Sequence, residues 1–108
     1  MRSIVFRCTI MTALCLSGGV ARADPMIGNL EDGLDTARAI CSTCHIVEPS
    51  QKRFMLLESL SFAQIAADAG TTETGLRAFF HTPHILMPDF ILAPERMDDL
   101  IAYILSLK

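Results

Sequence analysis

The 108-residue sequence predicts one all-α domain of short helices. Three observations carry that expectation. Downstream of Ala23 no run alternates apolar and polar side chains as a half-buried strand does. Met97, Leu100, Ile101, Ile104 and Leu105 recur at i, i+3, i+4, i+7 and i+8, the stripe of a helix packed by one face. Shorter stretches of the same period are punctuated by residues that start or stop helices, such as Thr72, Pro94 and Gly70.

Residues 1–23 read as an export signal that is cleaved, with residues 24–108 as the domain. Arg2 and Arg7 precede the apolar stretch 8–16, Ser17-Gly18-Gly19 breaks it, and Ala21-Arg22-Ala23 offers small residues at the cleavage positions. The apolar stretch is too short for a comfortable membrane span, and bulky Leu14 before Cys15 does not suit a lipoprotein site. An uncleaved anchor is the competing use. Cleavage removes three of the nine basic residues and none of the twelve acidic ones, so the net charge moves from −3 to −6. That charge argues against nucleic acid or an anionic membrane as partner and favours a protein with a basic docking patch. Cys8 and Cys15 leave with the signal, so only Cys41 and Cys44 remain.

Residues 24–32 are polar and read as a lead-in. The first helix is expected over 33–43, with Asp32 as N-cap and Asp35 in the first turn. Leu34, Ala37, Cys41 and Cys44 would share its buried face. Pro49-Ser50 marks a turn, Lys52-Arg53 is a small basic spot, and Phe54 to Leu57 is an apolar run. A short helix over 61–69 would turn Phe62, Ile65, Ala66 and Ala69 inward, stopped by Gly70. Thr72 caps a third helix over 73–81, with Leu76, Phe79 and Phe80 inward. Pro83 and Pro88 keep 82–93 extended, and Pro94 opens a last helix over 94–106. Glu95, Asp98 and Asp99 suit the positive end of that helix.

The chemistry-bearing residues are Cys41-Ser42-Thr43-Cys44-His45. C-x-x-C-H is the attachment signature of c-type haem: each cysteine adds through sulfur to one porphyrin vinyl, and the adjacent histidine ligates iron as a neutral imidazole. A small domain buries too little surface to be comfortably stable by itself, and a covalently held haem would supply the missing apolar core. Three other uses compete. A thioredoxin-like redox pair would sit where a βαβ pattern turns into a helix. A zinc site would join Cys41 and Cys44 to His81 and His84, with a spacing between those histidines shorter than usual. A disulfide would close a strained two-residue loop.

Four methionines remain after cleavage as candidates for a sixth iron ligand. Met97 belongs to a core stripe, Met55 is close behind His45, and Met26 is in the lead-in. Met87 lies in the proline-stiffened stretch, directly before Pro88, long enough to cross to the far haem face. His81 and His84 are its rivals, since bis-histidine ligation would lower the potential.

Several stretches together resemble the small class I c-type cytochromes of bacteria, across most of residues 33–108. They are Gly33 eight residues before Cys41, C-S-T-C-H, S-F-A-Q-I-A at 61–66, T-P-H-I-L-M-P at 82–88 and D-L-I-A-Y-I at 99–104. The resemblance implies a cytochrome c-like fold around one haem c, thioethers from Cys41 and Cys44, and His45 and Met87 as axial iron ligands. It also implies that the first and last helices cross, with Gly33 allowing close approach and Tyr103 nearby. Such chains usually hold a proline whose carbonyl accepts the histidine ring N–H. Here Pro49 is near the motif, and Leu60 occupies the place where proline is common. Ala93 stands where a Ser or Thr cap is common, and there is no tryptophan.

The expected function is periplasmic single-electron transfer by a carrier with no substrate turnover, as a monomer or as part of a complex, without a stable membrane anchor. The alternatives are a subunit bound to a dehydrogenase or oxidase, and a haem enzyme or gas sensor with an open sixth position.

Overall fold

The computed structural model describes residues 27–52, 59–83 and 85–108. The expected signal peptide, Met26, the apolar run at Phe54 to Leu57 and His84 lie outside the described residues. Among the described residues the regular structure is helical, with no strand, so the all-α expectation holds. The elements are α1 (Leu30–Thr36), which runs on as a π-helical turn (Ala37–Cys41), then α2 (Phe62–Ala67), α3 (Glu73–Phe80) and α4 (Pro94–Leu105). No described helix is long and apolar enough to cross a membrane.

The first helix starts earlier than the sequence suggests. Asn29, not Asp32, is its N-cap: the Asn29 side-chain oxygen accepts from the backbone N–H of Glu31 (2.9 Å) and Asp32 (3.4 Å). Asn29 wins because its own N–H is held from outside, donating to Asp99 Oδ1 at 2.7 Å. That bond ties the start of α1 to α4. The two helices then approach so closely that a side chain at Gly33 would collide with the Asp99 carbonyl and lie 2.8 Å from Tyr103 Cβ. Gly28 meets the same wall, and its φ of +128° excludes most other residues.

α4 is the apolar spine. Met97, Leu100, Ile101 and Ile104 are buried and Leu105 is half-buried, as the stripe predicts, and Ala102 and Tyr103 outside the stripe are buried too. Each fully buried aliphatic side chain of this kind contributes about 1.5–3 kcal/mol relative to exposure. Pro94 occupies the first turn, where its missing N–H costs nothing, and Ala93 caps without a side-chain bond. Only Glu95 serves the first turn electrostatically. Asp98 instead accepts from Arg77 of α3 at 2.6 Å, and Asp99 accepts from Asn29.

α2 and α3 start where expected. Ser61 and Gln64 form a reciprocal capping box, and Thr72 Oγ1 accepts from the Gly75 N–H at 3.0 Å. Their ends and faces differ from the sequence expectation. α2 stops at Ala67 because Asp68 turns extended, and its carboxylate takes the Gly70 N–H at 2.7 Å; Gly70 is not a left-handed cap. Ala69 therefore lies beyond the helix and is exposed. In α3, Leu76 is buried, but Phe79 is 43% exposed, packing edge-on to Phe80.

Candidate functional site

The C-x-x-C-H segment begins on the π turn. There the Ser42 N–H reaches back five residues to the Ala37 carbonyl at 3.0 Å. Single π turns of this kind are frequent at functional sites. Helical geometry ends at Cys41. The N–H groups of Cys44 and His45 both fold onto the Cys41 carbonyl, at 3.0 and 2.9 Å. One tight turn therefore carries all three candidate residues.

Cys41 is buried among Ala37 and the α4 residues, as expected, whereas Cys44 is exposed. The expected shared stripe fails at Cys44 because the helix has already ended. The two thiols are free rather than disulfide-bonded. Burial, and secondarily the Cys44 charge, push the Cys41 thiol up to about 11, opposite to the depressed thiols of C-x-x-C redox enzymes. Among the described residues no three His, Cys, Asp or Glu side chains gather as a metal cluster; His84, part of the zinc alternative, lies outside them.

His45 is half-buried and held by its ring. Its Nδ1 lies 2.6 Å from the Leu60 carbonyl. A carbonyl only accepts, so Nδ1 carries the proton and Nε2 keeps its lone pair. The Leu60 carbonyl is thus the histidine's partner, and proline is not needed there because the backbone oxygen does the work. Its position follows from α2: the Ser61 N–H is taken by Gln64 at 2.9 Å, and the Phe62 N–H donates to the Ile46 carbonyl at 2.9 Å. The Phe62 ring packs against His45 at 5.6 Å, and Tyr103 packs behind Phe62 at 6.5 Å.

The loop after the motif is tied down as well. Arg38 grips Glu48 in a two-pronged pair, with Nε to Oε1 at 3.0 Å and Nη2 to Oε2 at 2.8 Å. This pairing lowers the Glu48 carboxyl and raises the Arg38 guanidinium. The Tyr103 hydroxyl donates to the Val47 carbonyl at 2.7 Å. A cavity of about 270 Å³ lies behind this loop, between Val47, Ser61 and Leu107, and none of Cys41, Cys44 or His45 lines it.

Met87 comes from a different segment, the non-helical stretch between α3 and α4, where it is half-buried. Its neighbours Ile85, Leu86 and Ile91 are fully exposed. Met97 is 3% exposed in the α4 core, in keeping with a packing role. His81 is the exposed C-cap of α3.

The donor set suits c-type haem chemically: two free thiols and an imidazole with one committed and one available nitrogen, all on one turn. Sequence reasoning left the histidine's carbonyl partner open between Pro49 and Leu60, and it did not single out Phe62 as ring neighbour or the Arg38–Glu48 pair. The S-x-x-Q capping box at Ser61 was the available signal for the Leu60 carbonyl and Phe62. Searches against family models, curated proteins and solved structures gave no match.

Proposed function

We propose that this chain is a small c-type cytochrome of the class I bacterial kind, a periplasmic single-electron carrier with one covalent haem c. The observation that carries this reading is the 2.6 Å contact of His45 Nδ1 with the Leu60 carbonyl, on the same turn as two free cysteines. It leaves Nε2 as the available ligand and raises its basicity.

In this reading Cys41 and Cys44 would hold the group through thioethers, and His45 Nε2 and the Met87 thioether would ligate its iron. Haem, when bound, supplies a one-electron Fe(III)/Fe(II) couple. The Leu60 carbonyl keeps the His45 ring in one tautomer and one orientation. Phe62 covers one flank of that ring and limits water there. In this reading the chain carries an electron and turns over no substrate.

The test is the mass of the protein exported from cells able to mature c-type cytochromes. It should equal residues 24–108 plus one haem, and acidified solvent should not extract the haem. A haem-free mass overturns the reading.

A permanent subunit of a dehydrogenase or oxidase is the second reading. The full exposure of Ile85, Leu86 and Ile91 around Met87 favours it, since apolar surface beside a redox centre suits a lasting interface. Salt dependence of electron transfer separates the two.

A further inference from the structure

The Gln51 side chain makes three hydrogen bonds, all to backbone groups of the C-x-x-C-H turn and the loop that follows it. Its Oε1 accepts the Val47 N–H at 2.8 Å, and its Nε2 donates to the carbonyls of His45 at 3.1 Å and Ser42 at 3.3 Å. Ser42 is the C-cap of the π turn, where carbonyls lack helical donors, so Gln51 supplies one. Val47 is held from both sides, by Gln51 at its N–H and by Tyr103 at its carbonyl. Only a primary amide offers an acceptor and two donors on one end; glutamate has acceptors only, methionine has neither, and asparagine is one methylene short.

We infer that Gln51 is a positioning residue for His45: it fixes the backbone on both sides of the histidine, so that the ring's azimuth is set jointly by Gln51 and by the Leu60 carbonyl. This rests on the proposed ligation of haem by His45. Without Gln51 the backbone at residues 42–47 loosens and the Nδ1–H bond to Leu60 weakens. The imidazole then donates less electron density, and the oxidised state is less stabilised.

The test uses the exported, haem-loaded protein. In the oxidised form the paramagnetic proton shifts of the haem methyls depend on the azimuth of the axial imidazole. Gln51→Met should keep its haem by mass, change the methyl pattern and raise the reduction potential. Gln51→Glu should likewise change the pattern, because a carboxylate can still accept from the Val47 N–H but donates to neither the His45 nor the Ser42 carbonyl. Arg77→Met breaks the Asp98 pair between α3 and α4 and is the control: it should leave pattern and potential unchanged. If the Gln51 variants also match wild type in pattern and potential, the inference fails while the proposed function stands. If neither Gln51 variant accumulates but Arg77→Met does, Gln51 is a folding determinant and the inference is likewise overturned. A wild-type protein without haem defeats the proposed function itself.

Discussion

The Tyr103 hydroxyl donates to the Val47 carbonyl at 2.7 Å, joining the middle of α4 to the loop two residues beyond His45. Val47 is 1% exposed and Tyr103 7%, so water cannot replace either partner. Tyr103→Phe removes the donor and leaves a buried carbonyl unsatisfied, which should cost about 1–3 kcal/mol of stability in denaturant titrations.

The same bond predicts an alkaline limit. Burial first, and the Glu48 charge second, raise the Tyr103 hydroxyl above its ordinary value. A raised folded value means that the stabilisation is fully present below the ordinary tyrosine range near pH 10 and is lost as pH climbs through the higher folded value. Wild type should therefore lose stability there more steeply than Tyr103→Phe. Parallel curves for the two proteins would show that Tyr103 ionisation is not coupled to folding.

Gly33 is the contact point of α1 and α4. A methyl group at that position meets the Asp99 carbonyl, which is backbone and cannot rotate away. Gly33→Ala must push the helices apart and should destabilise the protein by roughly 1–3 kcal/mol or more, measured by thermal or denaturant unfolding. A neutral outcome would mean that the helices separate at little cost.

Met87 and Met97 should behave oppositely. Met87→Ala should abolish the weak sulfur-to-iron charge-transfer band of the oxidised protein, lower the potential and admit cyanide or carbon monoxide quickly. Met97→Ala should keep the band and cost about 2–5 kcal/mol of stability, because Met97 is 3% exposed in the core. The reverse pattern would exchange their roles. A spectrum changed by His84→Ala alone would make the site bis-histidine.

Electron transfer should slow as salt is added. If residues 1–23 are removed as the sequence suggests, the net charge moves from −3 to −6 and would steer a basic partner, and exposed charges are screened over about 10 Å at 0.1 M salt. A rate indifferent to ionic strength would favour apolar docking through Ile85, Leu86 and Ile91, and with it the permanent-subunit reading.

Helix starts were legible where the signal is local. Ser61, Thr72 and Pro94 each begin a helix through chemistry confined to one turn, and the α4 stripe needs only its own spacing. The start of α1 was not legible: Asn29 and Asp32 can both cap, and Asp99, seventy residues away, decides between them. Cys44 was placed on the buried stripe because helical periodicity was extended past Cys41, where the structure ends the helix.

By itself the sequence determined the residues of the C-x-x-C-H turn, the all-α class and the apolar face of α4, because side-chain identity and spacing along one element need no distant partner. Only the tertiary structure decided what holds His45. The resemblance left Pro49 and the Leu60 position both open, and because the acceptor is a backbone atom that every residue possesses, side-chain identity could not choose between them. The Leu60 carbonyl reaches Nδ1 because the capping box of α2 and the Phe62–Ile46 bond orient a chain segment fifteen residues away. Gln51 is likewise an ordinary polar letter until the fold brings Ser42, His45 and Val47 around its amide.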